Sequence, residues 1–237
     1  MVGAVIVAAG SGRRMNQRVK KQFLELGGKP ILFHTLSVFD RCPEVDRLVV
    51  VVPAEDIDYC RNWINTASHL QKSVKVVPGG SERQQSVFNG LMACEFLSDD
   101  DIVLIHDGVR PFLGRELLEA CIHAAERHGA CIAGAQAVDT MKRVSASGMI
   151  ECTLERDSIW VAQTPQAFRY GLILDAHREA QRDGFLGTDD SALVERLGRP
   201  VHLVPGSRAN IKVTTPADLL LAEAIRNLRH DGKMGGA

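Results

Sequence analysis

Short apolar runs rich in β-branched residues alternate along this chain with longer stretches whose apolar positions recur at helical spacing. Val5–Ala9, Leu48–Val52, Val74–Val77 and Ile102–Ile105 are near-continuous apolar runs, the pattern of strands covered on both faces of a sheet. Between them Pro30–Phe39, Gln85–Phe96 and Arg115–His128 read as helices. In the last, Leu117, Leu118, Cys121, Ile122 and Ala125 make one apolar stripe, with Gly129 placed where a C-cap belongs. This order predicts an α/β fold: a mostly parallel twisted sheet with helices on both faces.

The rhythm breaks between Val138 and Trp160. Thr140–Met149 is polar and carries a Ser-Ala-Ser-Gly turn, and Ile150–Leu154 after it is β-rich. The pattern predicts a hairpin or arm standing off the domain. Helical spacing returns at Gly171–Gln181 and Asp190–Leu197, followed by a strand at Val201–Val204. The last helix starts at Thr215-Pro216-Ala217-Asp218, with Thr as N-cap and Pro at its first position. With no repeat and no linker, residues 1–230 read as one domain with an excursion. The Gly-rich segment 231–237 reads as a frayed tail.

Composition narrows the picture. The 237 residues are 45% apolar and 24% charged, with a formal net charge of −1. Such a balance attracts neither nucleic acid nor an anionic membrane, so any phosphate binding must come from a local group of cations. No apolar run approaches the roughly 20 residues of a membrane-spanning helix, and Val2–Ala9 has no basic residue before it, unlike a signal peptide. The six cysteines form no CxxC pair and no zinc-type spacing, as for inert thiols in a reducing compartment. A cytoplasmic protein is expected.

The strongest chemical signal is Ala8-Ala9-Gly10-Ser11-Gly12-Arg13-Arg14-Met15, directly after the first strand. Ligands of doubly wound sheets bind outside the carboxyl ends of strands. Gly10 and Gly12 let backbone N–H groups approach a phosphate, and arginines beside them supply forked donors. The loop is neither a Walker A motif nor a full dinucleotide fingerprint, since no GK[ST] follows and Met15 stands at the third glycine. Arg13, Arg14, Arg18, Lys20 and Lys21 put five cations in nine residues.

A second candidate, His106-Asp107-Gly108-Val109-Arg110-Pro111, closes the strand Ile102–Ile105. Asp107 there suits a Mg2+–phosphate unit, a ribose hydroxyl or a self-capping turn; Arg110 suits a phosphate. His106 is assigned no role. Pro78–Arg83 is a turn able to wrap a base or ribose, Thr188–Ser191 reads first as a helix N-cap, and Asn210–Thr214 sets Lys212 near a strand end. No GxSxG elbow or Cys/His signature points to a covalent nucleophile.

Taken in order, these segments resemble the 2-C-methyl-D-erythritol 4-phosphate cytidylyltransferase family from about Val2 to Leu228. The landmarks are AAGxGxRM at Ala8–Met15, KQ at Lys21-Gln22, GGxxRxxSV at Gly79–Val87 and HDxxRP at His106–Pro111. DTxK at Asp139–Lys142, RxxxWxxQTPQ at Arg156–Gln166, TDD at Thr188–Asp190 and NIKxTxP at Asn210–Pro216 complete them. The resemblance implies a Rossmann-like nucleotidyltransferase domain, CTP and a sugar-alcohol phosphate as substrates, and Mg2+ as cofactor. It also implies a homodimer in which an arm, here residues 138–159, completes the partner's site.

Residue by residue, Arg14 and Lys21 match the family's transition-state cations. Lys212 and the partner subunit's Arg156 match the holders of the acceptor phosphate. Ala8, Ala9, Gly10, Gly12, Gly80, Ser86 and Arg110 fall where the family contacts CTP, and Asp107, Thr140, Thr164 and Thr188 where it contacts the acceptor. One position departs: Lys20 stands where the family usually has proline, which leaves open whether Lys20 or Lys21 makes the key contact. The register with Gln22 favours Lys21. A ribitol 5-phosphate cytidylyltransferase is the alternative: it shares the fold and much of the phosphate machinery, its acceptor lacks the methyl branch, and so the pocket decides. A non-catalytic nucleotide-binding protein is the rival of another class.

Overall fold

The computed structural model describes residues 1–10, 20–67 and 69–230. The tail 231–237 and the loop residues Gly12 and Arg14 lie outside these.

The first apolar run becomes β1 (Val2–Val7), so Ala8 and Ala9 belong to the loop that follows. A two-residue hairpin, β2 (Glu25–Leu26) and β3 (Lys29–Pro30), leads into α1 (Ile31–Arg41). Then come β4 (Arg47–Val52), α2 (Ile57–Ala67), β5 (Val74–Pro78) and α3 (Arg83–Met92). β6 (Ile102–Asp107), α4 (Arg115–His128) and β7 (Ala130–Gln136) follow. After the hairpin β8 (Lys142–Val144) and β9 (Ile150–Thr153) stand β10 (Trp160–Arg169), α5 (Tyr170–Arg182) and α6 (Ser191–Arg196). β11 (His202–Pro205) and α7 (Pro216–His230) finish the chain.

Seven strands form one sheet in the order β11-β7-β10-β6-β1-β4-β5. All neighbours pair parallel except β10, which runs antiparallel to both β6 and β7. The apolar runs alternate faces as a pleat requires. Ala4, Ile6, Leu48 and Val50 join Leu36, Phe39, Leu118 and Ile122 in one core. Val5, Val49, Val51 and Ile105 join Val87, Leu91, Ile173 and Leu174 in another. A third cluster, including Leu26, Val109, Val213 and Ile225, ties the β2–β3 hairpin to α7.

The sequence pattern did not predict α2, β7 or β10. β7 reads Ala-Cys-Ile-Ala-Gly-Ala-Gln, poor in β-branched residues, and β10 contains Pro165, which argues against a central strand. β10 tolerates it because its register with β7 shifts between Ala162 and Gln166, so Pro165 sits at an irregularity of the ladder. The helix expected over Gln85–Phe96 starts and stops earlier, at Arg83 and Met92. Gly129 ends α4 with φ of 85° and donates its N–H to the Ala125 carbonyl, the predicted left-handed cap. The interrupted segment is an exposed two-stranded sheet separate from the main one.

Candidate active site

The loops after β1, β5 and β6 all leave the carboxyl edge of the sheet, and a cavity of about 480 Å³ opens between them. Ala8, Ala9 and Gly10 form one wall, and Gly80, Glu82 and Ser86 another. Lys21, Arg83, Asp107 and Lys212 bring the charges to it. The volume lies within the range of small-molecule sites.

The β5–α3 wall is built by close approach. A side chain on Gly79 would come within 2.3 Å of the Ala9 Cβ, so only glycine lets the two loops touch. The Ser86 hydroxyl accepts the Gly80 N–H at 3.0 Å and donates to the Glu82 carbonyl at 3.0 Å. It fixes the turn that faces the cavity.

Asp107, at the end of β6, is the electrostatic centre. Lys212 Nζ lies 2.9 Å from Oδ2, Arg110 Nε 3.3 Å from Oδ2, and Arg83 Nε 3.4 Å from Oδ1. Burial alone would raise its pKa, but the charges of Arg83, Lys212 and Arg110 outweigh that and hold it well below the usual carboxylate range. Arg83 reaches on through NH1 to Asp190 Oδ2 at 2.8 Å, bridging two buried carboxylates. Asp190 is held low as well: burial opposes, and Arg83 and the His177 hydrogen bond prevail.

Behind the wall runs a chain of polar groups. The Thr164 hydroxyl accepts the Asp107 N–H at 3.1 Å and meets His106 Nδ1 at 3.0 Å. His106 Nε2 lies 3.2 Å from the Arg110 carbonyl, which can only accept, so Nε2 carries the proton and Nδ1 accepts from Thr164. Burial pushes the His106 pKa down to about 4, and the carbonyl hydrogen bond opposes it only in part. The imidazole is therefore neutral at pH 7, a brace rather than a proton donor to the cavity. Arg110 donates from NH1 to the Asn210 carbonyl at 2.8 Å, and Asn210 Nδ2 donates to the Thr164 carbonyl at 2.8 Å. Two loops and strand β10, distant in sequence, are thereby locked together.

The structure thus brings Ala8, Ala9, Gly10, Lys21, Gly80, Ser86, Asp107 and Lys212 to one cavity. Arg110 and Thr164 stand behind it, their polar groups committed to internal hydrogen bonds. Thr188 is exposed outside the lining, before α6; in that turn Asp189, not Thr188, accepts the helix N–H of Ala192 at 3.0 Å. Thr140 and Arg156 are exposed on the arm, with Arg156 NH1 donating to the Val138 carbonyl at 3.2 Å. Lys20 turns away, pairing with Glu55 and Asp56. Sequence reasoning did not single out Arg83 as a site residue; its charge inside the GGxxRxxSV turn was the available signal.

Magnesium binds through one or two carboxylates and substrate phosphates rather than in an all-protein cage. Asp107 is the buried carboxylate at the cavity and its oxygens already face three cations. An ion at this cavity would therefore be held chiefly by the triphosphate it arrives with rather than by Asp107. Among the described residues, the cluster with metal-ligand spacing is Cys42, Glu44 and Glu119, which does not line this cavity.

A mostly parallel sheet with glycine turns and cations at its carboxyl edge is the architecture of an α/β nucleotidyltransferase. The model of the family described as 2-C-methyl-D-erythritol 4-phosphate cytidylyltransferase matches residues 2–228. Proteins of that name from Geotalea uraniireducens and Geobacter metallireducens are 51% and 49% identical to this chain. Each match covers 94% of this chain, and 95% and 96% of the respective relative. The crystal structure of 4-diphosphocytidyl-2C-methyl-D-erythritol synthase from Anaerococcus prevotii superposes with a TM-score of 0.85 at 34% identity, covering 95% of this chain and 96% of that one. The Thermus thermophilus 2-C-methyl-D-erythritol 4-phosphate cytidylyltransferase gives 0.76 at 32%, covering 96% and 100%. The chain belongs to the 2-C-methyl-D-erythritol 4-phosphate cytidylyltransferase family.

Proposed function

We propose that this enzyme transfers CMP from CTP to 2-C-methyl-D-erythritol 4-phosphate at the cavity between the β1, β5 and β6 loops. The products are 4-diphosphocytidyl-2-C-methyl-D-erythritol and pyrophosphate. Family membership over residues 2–228 carries the reaction. The cavity that joins Lys21 to the Asp107–Lys212 pair carries its location. Relatives about half identical bear this name, which does not favour ribitol 5-phosphate as acceptor.

In the proposed mechanism an acceptor phosphate oxygen attacks the CTP α-phosphorus in line. A new P–O bond forms while the bond to the pyrophosphate oxygen breaks. The nucleophile is already anionic near neutral pH, so no general base is needed, in keeping with a neutral, buried His106. Repulsion between two polyanions and their misalignment are the obstacles. Lys21 and Arg14 neutralise charge growing on the α-phosphate and leaving group. Lys212, aimed by Asp107, and the partner subunit's Arg156 hold the acceptor phosphate. A magnesium ion bound with CTP would supply further charge neutralisation beside Lys21 and Arg14.

The proposal includes a homodimer. The hairpin and its base leave Val138, Met141, Val144, Met149, Ile150, Trp160 and Val161 exposed, an apolar group on a two-stranded ribbon that is marginally stable alone in water. A second copy of the chain would cover it and bring Arg156 and Thr140 to a neighbouring site. A cytoplasmic location belongs to the same reading: all six cysteines are unpaired, as in a reducing compartment.

Steady-state kinetics separate the roles. Lys21→Ala should lower kcat about a hundredfold or more, and near-normal turnover would remove Lys21 from the transition state. Arg156→Ala should raise KM for the acceptor while CTP affinity, read by calorimetry, survives. Equal damage to both would argue against its place at the acceptor.

A further inference from the structure

We infer that Lys20 is a positioning residue, whose ion pairs with Glu55 and Asp56 fix the backbone from which Lys21 enters the cavity. The inference rests on the reading of Lys21 as a reaction cation. Lys20 Nζ lies 2.5 Å from Glu55 Oε1 and 2.6 Å from Asp56 Oδ2, on the 3-10 turn Ala54–Asp56 that leads into α2. Two carboxylates on one ammonium neutralise it, so Lys20 is not a competing phosphate ligand. The adjacent Lys21 opens the short 3-10 turn Lys21–Phe23, and its Nζ lies 3.7 Å from where a Gly10 side chain would begin. Neighbouring lysines thus divide the work, one anchoring and one facing the cavity.

A second fastening lies on the other side of Lys21. The Phe23 ring packs edge-on against Tyr59 of α2 with centroids 5.1 Å apart. The turn is therefore bolted to the start of α2 at both ends, and it is closed by Phe23 N–H to the Lys20 carbonyl at 2.9 Å and Leu24 N–H to the Lys21 carbonyl at 3.3 Å. Lys20 itself has φ of −65° and ψ of 141°. That φ is the value a pyrrolidine ring enforces covalently. The ion pair supplies through charge what a proline would supply through its ring, and charge weakens with salt whereas a ring does not.

The experiment compares wild type, Lys20→Met, Glu55→Gln/Asp56→Asn and Lys20→Pro by hydrogen exchange of a peptide spanning residues 20–26, alongside kcat and KM for CTP. Loss of the ion pair should speed exchange at Phe23 and Leu24 about fivefold, the scale of a partly exposed ion pair. It should also lower kcat several-fold with KM for CTP less affected. Lys20→Pro should restore both relative to Lys20→Met, and its exchange should not respond to salt, whereas wild-type exchange should rise between 50 mM and about 500 mM salt. Unchanged exchange in Lys20→Met and in the double variant overturns the anchor. Faster exchange with unaltered kcat overturns its part in positioning. If Lys21→Ala itself keeps full turnover, the reading of Lys21 fails instead, and the exchange data still decide the anchor.

Discussion

His106 shows how one buried side chain sets a pH limit on this molecule. Burial holds its pKa at about 4, below the ordinary 6.5, so between those values the unfolded chain binds a proton that the folded chain refuses. Stability from this group is full above about pH 6.5 and is lost as pH falls toward 4, by roughly 3 kcal/mol. Asp107 and Asp190, both held low, lose their contribution only below the ordinary carboxylate range, outside that window. Urea unfolding at pH 7 and 4.5 should show His106→Asn losing less stability on acidification than wild type. His34 and His128, also shifted down, are common to both proteins, so the difference reads His106. Equal losses would contradict the assignment. At this scale the sequence favoured Lys21 over Lys20 for the phosphate contact through its register with Gln22, and Lys21 is the one of the two that lines the cavity. It could not expose the Arg83 bridge, because Asp107 and Asp190 lie 24 and 107 residues away and no local pattern joins them.

Among the elements, α3 matters most to the site, because Arg83 and Ser86 in its first turns reach the cavity. It lies close on the sheet at Gly90, where an added Cβ would meet Val5 Cγ1 at 2.4 Å and Val51 Cγ2 at 2.9 Å. Gly90→Ala should gain up to about 1 kcal/mol of helix propensity. The overpacking cost, about 1–3 kcal/mol, should exceed it, since both valines are fully buried in central strands. The expected outcome in thermal unfolding is a lower Tm, with reduced kcat as the Ser86 turn shifts; a raised Tm would show that α3 can move without strain. Of the legible strands, β1, β4 and β6 lie inside the sheet and are buried almost along their whole length, giving unbroken apolar runs, whereas β5 and β11 at its two edges were read from shorter β-branched stretches. β7 and β10 carry alanine, glutamine and proline instead, and their strand character comes from pairing partners rather than from local preference. α2 hid its stripe of Ile57, Cys60, Trp63 and Ile64 among polar residues.

For the whole molecule, the arm was legible because its polar turn and β-rich return broke a regular rhythm. Its destination was not, since a sequence pattern does not say which copy of the chain the arm serves. Mixing Lys21→Ala with Arg156→Ala subunits separates the cases. If each site combines Lys21 of one protomer with the partner's Arg156, half of randomly mixed dimers are mixed and each holds one intact site. About a quarter of wild-type activity should then return, as expected for a two-fold assembly. An arm folded on its own subunit would give no recovery.

On the proposed reaction, this cavity joins CTP to a methyl-branched tetritol phosphate. The most direct test of that reaction is pyrophosphate release with CTP and Mg2+, comparing 2-C-methyl-D-erythritol 4-phosphate with ribitol 5-phosphate as acceptor. Turnover confined to the branched acceptor is the predicted result. Preference for ribitol 5-phosphate, or no release with either, would contradict it.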